Sequence, residues 1–458
     1  MKLKKTKFAA ILGAGIMMFT FPMGSVFAEE AGEAEILSVI AITETQEEGE
    51  KFVALAIQYE DEIQSGVATR SSYTVEGREI TKVYVNDTGK TGDVDYIGNY
   101  VIVELATSNV PGASLGTTLY YGKMNDVEVK INHRIPVNAL ITQNEDLVTV
   151  SGDVAYGKRL DITREENWLA DQFISDTFLD PESGFELNYR LYIPEGYEEM
   201  DETMEKLPLV LFLHGSGERG YNNESQLLAN PSALEFAREK AQEEHPCFVL
   251  APQNPVVTEA WTENIGTEET PDYAITPQLQ AAKHLVDDVI KNYNIDTSRI
   301  YGSGLSQGSK GIARLSMDYP ELFAAQINSS GVDKYYSSED AAAIAGKSIW
   351  FLNAVDDPTN PSEDVRTLVA QLADVGAAIV QNTEEKSWNG WLRGEAAAAL
   401  AQGEWDEAKE IGAEILYTEY IAGTVVPNAH WSWMANFSNA TVREWLFSHI
   451  NPIPYVAE

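Results

Sequence analysis

The chain has 458 residues, a single cysteine (Cys247) and a formal charge of −39 at neutral pH. One cysteine excludes an intramolecular disulfide, so burial must hold the fold, and the length leaves room for two domains with full cores. A field this acidic repels phosphate backbones and anionic membrane surfaces, which excludes nucleic acid as a partner class.

At the start, Lys2, Lys4, Lys5 and Lys7 precede an apolar run from Phe8 to Phe21 and then GSVFAEE, with small residues placed for cleavage after about Ala28. Residues 1–28 are therefore expected to be a signal peptide, and the protein to be secreted and extracellular. The apolar run falls short of the about 20 residues that span a bilayer, and no second long apolar run follows it, so no membrane span is expected. No cysteine stands near the cleavage site to carry a lipid anchor.

Over 35–165 short β-rich segments alternate with turn signals: EILSVIAIT, KFVALAIQY, TKVYVND, YVIVELA, VEVKINHRI, ALITQ and LVTVSG. Several short strands with outward polar residues and no long helical period predict an immunoglobulin-like β-sandwich. It has no Cys…Trp…Cys core of the antibody type. The acidic pairs Glu47-Glu48 and Glu384-Glu385 lack EF-hand spacing, so neither a metal site nor a cofactor is expected.

From 166 to 458 the pattern changes. Apolar β-runs (YRLYIP, PLVLFLHG, CFVLAP, RIYGSGLS, AAQINSSG, SIWFLNAV, EILYTEYI) alternate with helical stretches such as QLQAAKHLVDDVIKNY and EDVRTLVAQLADVG. That alternation predicts an α/β domain, a mostly parallel sheet with helices on both faces. Chemistry in such sheets sits at the carboxyl ends of the strands.

Three of those ends carry reactive residues. RIYGSGLS runs into Gly304-Leu305-Ser306-Gln307-Gly308, a G-x-S-x-G on a predicted strand-to-helix turn. As a bare string the motif arises by chance roughly 0.2 times in a chain this long; its placement is what makes Ser306 the candidate nucleophile, with its hydroxyl exposed on a sharp turn. A serine hydroxyl attacks only when a base takes its proton, and the base is usually a histidine oriented by a carboxylate. Of six histidines only His430 and His449 follow Ser306. His449 closes the apolar helix VREWLFSH, whereas His430 lies in a loop after the last predicted strand, which makes it the candidate base. SIWFLNAV ends in Asp356-Asp357, and either carboxylate can orient the imidazole.

A fourth strand end, LFLHGSGERG (211–220), contains a G-x-G-x-x-G. A dinucleotide site needs a helix opening at the third glycine and an acid at the end of the next strand. Here YNNESQ follows, and the next strand, CFVLAPQN, carries no acid. The loop is instead placed for an oxyanion hole, with the backbone N–H of Ser216 as one donor and that of Gln307 as the other.

With these motifs in place the sequence resembles the α/β-hydrolase superfamily, and within it secreted bacterial esterases of the peptidase-like and polyhydroxybutyrate-depolymerase-like kind. The resemblance covers about Phe173 to His449, on YRLYIPEGY (189–197), LHGSGERGYNN (213–223), LAPQ (250–253), IYGSGLSQGS (300–309), VDDP (355–358) and AHWSW (429–433). ITETQEEGEKFVALAIQYEDEI with GNYVIVEL is similar to the immunoglobulin-like domain that some of these esterases carry. The family pattern HG-x-x-D-x-x-V-P sets the catalytic acid four residues before a proline, which favours Asp357 before Pro361; Asn353-Ala354 replaces its His-Gly and Asn360 its valine.

The resemblance implies a serine esterase that hydrolyses short acyl esters, or acetyl and feruloyl groups on polysaccharide, through a Ser-His-Asp triad and an acyl-enzyme. Its substrate is a small molecule or a polysaccharide-borne ester, and association of copies through the immunoglobulin-like domain is possible. A serine peptidase, a polyester depolymerase or a non-catalytic binding protein on the same scaffold are the alternatives. Trp261, Trp391 and Trp431 are candidate pocket residues. The stretch 376–414, with Trp388, Trp391 and Trp405, is expected either to roof the pocket or to pack as an accessory hairpin.

Overall fold

The computed structural model describes residues 31–108, 114–124, 127–197, 205–256 and 260–457, so the expected leader over 1–28 lies outside the described residues. The first domain is built on a hairpin, Ile36–Gln46 against Gly49–Gln64, closed by the turn Glu47-Glu48. Ile97–Leu105, Ile80–Asn86 and Arg164–Glu166 complete a five-stranded sheet. Because side chains alternate along a strand, each strand feeds two cores. Val39, Ala41, Leu55 and Ile57 point into one cluster, and Ile40, Ile42, Ala54 and Ala56 into another with Ile102. The first cluster is closed by Tyr73, Val75, Ile141 and Leu160, which belong to a second sheet of three short strands, Tyr73–Val75, Ile141–Gln143 and Arg159–Leu160. Two sheets face to face over one apolar layer form the expected sandwich.

Several strands had no clear sequence signal: Tyr73–Val75, Arg159–Leu160 and Arg164–Glu166, which are two or three residues long, and one longer strand. Thr117–Met124 pairs antiparallel with Val127–Arg134 as a separate ribbon. Leu119, Tyr120 and Tyr121 of this strand are all exposed, so no polar–apolar alternation marks it. The ribbon reaches the second domain: Lys130 N–H donates to Pro255 O at 3.0 Å, and Asn132 Nδ2 donates to Ser225 Oγ at 2.9 Å.

The second domain is a nine-stranded sheet in the order Phe173–Leu179, Glu186–Tyr192, Phe248–Gln253, Leu207–Leu213, Ile295–Leu305, Ala325–Ser329, Ser348–Ala354, Ile415–Tyr420 and Ile379–Asn382. Glu186–Tyr192 runs antiparallel to both of its neighbours, and all other pairings except those two are parallel. Its central strands are apolar on both faces because helices cover both. Val210 and Phe212 enter the layer that holds Trp445 and Leu446 of helix Ala440–Phe447. Leu209, Leu211 and Leu213 enter the layer that holds Leu285 and Val289 of helix Pro277–Asn292. That helix starts where Thr276 Oγ1 accepts the Leu279 N–H, with Pro277 in the first turn, where its missing N–H costs nothing. The chain passes from Leu207–Leu213 to one neighbour and then back to Ile295–Leu305 on the other side, which opens a crevice at the carboxyl ends of these strands.

The stretch 376–414 is not a roof. It supplies the edge strand Ile379–Asn382 and then helix Gly394–Ile411, whose buried residues are Ala397, Ala401, Glu404 and Ala408. Glu404 accepts Asn382 Nδ2 at 2.7 Å and Thr418 Oγ1 at 2.9 Å, so the helix is bonded to the two strands it joins. Burial pushes the Glu404 carboxyl well above the ordinary carboxylate range, and it is held by these bonds as a structural group. Trp388 is buried edge-on against Trp350, and Trp405 packs on the core with the Lys409 ammonium over its ring. Among the described residues no helix is long and apolar enough to cross a membrane.

Candidate active site

Strand Ile295–Leu305 ends directly in Ser306, and helix Gln307–Asp318 begins at the next residue. Ser306 holds φ 53° and ψ −117°, a left-handed backbone that costs on the order of 1–3 kcal/mol and persists only where surrounding structure dictates it. Its N–H donates to Ser329 O at 2.9 Å. Beneath the turn the backbones press together: a Cβ on Gly308 would stand 1.8 Å from Leu213 O, and one on Gly304 would stand 2.5 Å from the Gly308 carbonyl carbon. Gly308→Ala therefore has to displace backbone in the sheet and is expected to cost at least about 4 kcal/mol, read as a lowered urea midpoint. A midpoint near that of the unaltered protein contradicts the packing described.

His430 lies beyond the last parallel strand, in a short helical turn, Ala429–Trp431, where Asn428 Oδ1 accepts its N–H at 3.0 Å. Its Nε2 is 3.0 Å from Ser306 Oγ and its Nδ1 is 2.8 Å from Asp357 Oδ2. Asp357 Oδ1 accepts the N–H groups of Thr359 (2.8 Å) and Asn360 (3.0 Å). One carboxylate oxygen is thus pinned by backbone and the other faces the imidazole. Asp356 is exposed and turns the opposite way, accepting the Gly423 N–H at 2.8 Å. Ser306, His430 and Asp357 are all nine-tenths or more buried. His449 takes no part: its Nδ1 donates to Trp445 O at 2.7 Å.

The loop after Leu207–Leu213 faces Ser306 and is held from several sides. His214 Nδ1 donates to Gly215 O at 2.6 Å, while its Nε2 accepts the Asn254 N–H at 2.9 Å, which fixes the neutral tautomer. Lys130 of the first domain donates to Gly217 O at 3.0 Å, and Arg219 Nε donates to Ser216 O at 3.1 Å. Gln307 opens its helix, so its N–H is among those that the helix leaves without an intrahelical acceptor, at the positive end of the dipole. Ser216 and Ser306 line one pocket of about 400 Å³.

Burial lowers His214 to about 3, well below the ordinary 6.5. Between those values the unfolded chain binds a proton that the folded protein does not, so stability rises with pH across this window. The stabilisation is complete above about 6.5 and is lost as pH falls toward 3. Urea midpoints taken at successive pH values should decline over that range, and His214→Asn should be less stable at neutral pH but flatter below it. An equally steep acid limb in the variant contradicts the assignment.

The pocket also contains His430, Trp431 and Trp433, with Glu47 and Glu48 entering from the first domain. Of the three tryptophans expected there, only Trp431 lines it. Trp261 is 1% exposed beneath the loop, where its Nε1 donates to His214 O at 2.9 Å; its indole supports the loop backbone and does not line the pocket. Trp391 is 61% exposed and borders a neighbouring cavity of about 240 Å³.

Sequence reading missed four groups. Trp433 stands edge-on to His430 with centroids 5.1 Å apart. Asn360 Nδ2 donates to Ser330 O at 2.7 Å and lies 3.5 Å from Ser306 Oγ; its position three residues after Asp357 was the available signal. Glu218 is buried, its carboxyl raised by that burial and bonded by Asn230 Nδ2 at 2.8 Å. Glu47 and Glu48 reach the pocket only through domain packing, which no local pattern encodes. Among the described residues no group of three or more His, Cys, Asp or Glu side chains is placed to hold a metal ion.

A family described as the esterase Ig-like N-terminal domain matches residues 38–155. A solved structure described as a thermostable esterase is 31% identical, with a TM-score of 0.73, covering 91% of this chain and 100% of its own. Acetylxylan esterase A of Emericella nidulans is 31% identical over 85 residues, 19% of this chain and 27% of that enzyme. A probable acetylxylan esterase A of Neosartorya fischeri is 27% identical over 118 residues, 25% of this chain and 32% of that enzyme. The matched part spans about a third or less of these two fungal relatives.

Proposed function

Because the chain belongs to the α/β-hydrolase esterases that carry an immunoglobulin-like N-terminal domain, we propose that it hydrolyses carboxylic esters with Ser306 as nucleophile, His430 as base and Asp357 as the orienting acid. The observation that carries this reading is the unbroken chain of contacts from Ser306 Oγ through the imidazole to the pinned carboxylate. His430 Nε2 takes the hydroxyl proton as Ser306 Oγ bonds to the ester carbonyl carbon. The oxyanion meets the N–H groups of Ser216 and Gln307, and the imidazolium is stabilised by Asp357. The tetrahedral adduct collapses, the proton passes to the departing alkoxide, and the acyl group stays on Ser306. Water, deprotonated by the same imidazole, then releases the acid.

The pocket of about 400 Å³ sits at the small end of the range for ligand sites, which suits short acyl groups. The likeness to acetylxylan esterases supports an acetyl ester on polysaccharide as the substrate, reached outside the cell after removal of the leader. The test is turnover by the full mature chain of p-nitrophenyl acetate, butyrate and octanoate, methyl ferulate and a peptide amide. Acetate and butyrate should be fastest and the amide negligible. An amide cleaved faster than every ester, or no turnover of any ester, overturns the reading.

A further inference from the structure

A cavity of about 690 Å³, larger than the pocket at Ser306, opens where the two domains meet. Thr43, Thr45 and Lys51 line it from the first domain, Asn167 and Trp168 from the connection, and Arg238 from the second domain. Glu47 and Glu48 line both this cavity and the pocket at Ser306. The hairpin turn that carries them therefore stands between the two, and the groove adjoins the pocket that holds Ser306.

The lining chemistry narrows what lies in the groove. Its two basic side chains are already engaged, Lys51 with Glu48 at 3.1 Å and Arg238 with Glu235 at 2.8 Å. The acidic lining side chains are Glu44, Glu47, Glu48 and Glu235, four carboxylates against two cations, so an anionic chain meets net repulsion. A lipid tail is equally unsuited, because the accessible side chains of Gln46, Ser108 and Ser438 present amide and hydroxyl groups along the wall. Trp168 is half-buried, and its Nε1 donates to Glu166 Oε2 at 2.7 Å. That bond fixes the indole by its polar edge, and the ring borders the cavity. A held aromatic ring beside neutral hydroxyl and amide groups, with no unpaired cation, matches the surface of an uncharged sugar chain: C–H faces for the indole and hydroxyls for the polar wall.

We propose that this interdomain groove is the alcohol-side binding site, which holds an uncharged pyranose chain with a sugar ring against Trp168 while an acetyl ester of that chain reaches Ser306. The proposal rests on the esterase reading and adds the substrate class and where it lies.

Two measurements test it. The first is direct binding of unacetylated xylohexaose, and of hexagalacturonate as its anionic counterpart, to the Ser306→Ala protein by calorimetry. The second is the ratio of kcat/KM for acetylated xylohexaose to that for p-nitrophenyl acetate in the unaltered, Trp168→Ala and Trp168→Phe proteins. Xylohexaose should bind and hexagalacturonate should not. The ratio should fall on the order of tenfold in Trp168→Ala and recover largely in Trp168→Phe, as expected for a lost aromatic contact. A purely structural role for Trp168 lowers both rates together, leaves the ratio unchanged and overturns the proposal. So does xylohexaose that fails to bind, or hexagalacturonate that binds as well. If p-nitrophenyl acetate is cleaved while these arms fail, the groove assignment falls and the esterase reading stands. If no ester is cleaved the esterase reading falls, and binding to Ser306→Ala still decides the groove.

Discussion

Ser306→Ala is expected to lower ester turnover by about 10⁴-fold or more while the protein stays folded. The loss is large because nucleophile, base and acid act as one unit: without the Ser306 hydroxyl, His430 has no proton to take and no acyl-enzyme forms. Residual rate comes only from the oxyanion donors and from binding. The fold survives because, among the described residues, the Ser306 side chain bonds only to His430 (3.0 Å) and, at 3.5 Å, to Asn360, and alanine meets the same backbone strain as serine. Turnover of p-nitrophenyl acetate, read beside circular dichroism and a urea midpoint, separates lost chemistry from lost structure. Turnover within tenfold of the unaltered protein is incompatible with Ser306 as nucleophile.

Asp357→Asn is expected to cost on the order of 10³ to 10⁴ in rate, whereas Asp356→Asn stays within a few-fold. An asparagine at 357 can turn its amide N–H₂ toward His430 Nδ1, which then has to accept. The ring proton moves to Nε2, against Ser306 Oγ, and the imidazole can no longer take the hydroxyl proton. Asp356 is exposed and bonded to the Gly423 N–H, so its neutralisation weakens a loop contact remote from the imidazole. Steady-state rates of the two variants on one acetyl ester decide the matter, and a reversed ranking moves the orienting role to Asp356.

The parts legible in the sequence were those with a local signature. Alternation of apolar and polar residues marked most strands of the sandwich, and continuous apolar runs marked the doubly covered strands of the larger sheet. Ser306 was legible because a strand, two glycines and a helix surround it within a few residues, and the close contacts at Gly304 and Gly308 explain why no larger residue stands there. His430 stood out as a strand-end residue downstream of it, as did the pair Asp356-Asp357, of which the family spacing alone favoured Asp357; the fold brings Ser306, His430 and Asp357 within hydrogen-bond distance.

What was not legible depends on partners distant in the chain. Trp261 and Trp431 look alike as letters, yet one supports the loop backbone at His214 and the other borders the pocket. The stretch 376–414 read as either a roof or an accessory hairpin, but Ala397, Ala401 and Ala408 within it are the face a helix needs to lie close on a sheet. Glu47 and Glu48 read as an ordinary acidic turn until the second domain is packed beside them.

The most direct test of Ser306 as nucleophile is covalent labelling by a fluorophosphonate, located by mass spectrometry of proteolytic peptides. One adduct per chain is expected, on the peptide that contains Ser306, together with loss of ester turnover and with no adduct in Ser306→Ala. An adduct on a different serine that persists in Ser306→Ala, or full turnover by the labelled protein, contradicts the mechanism.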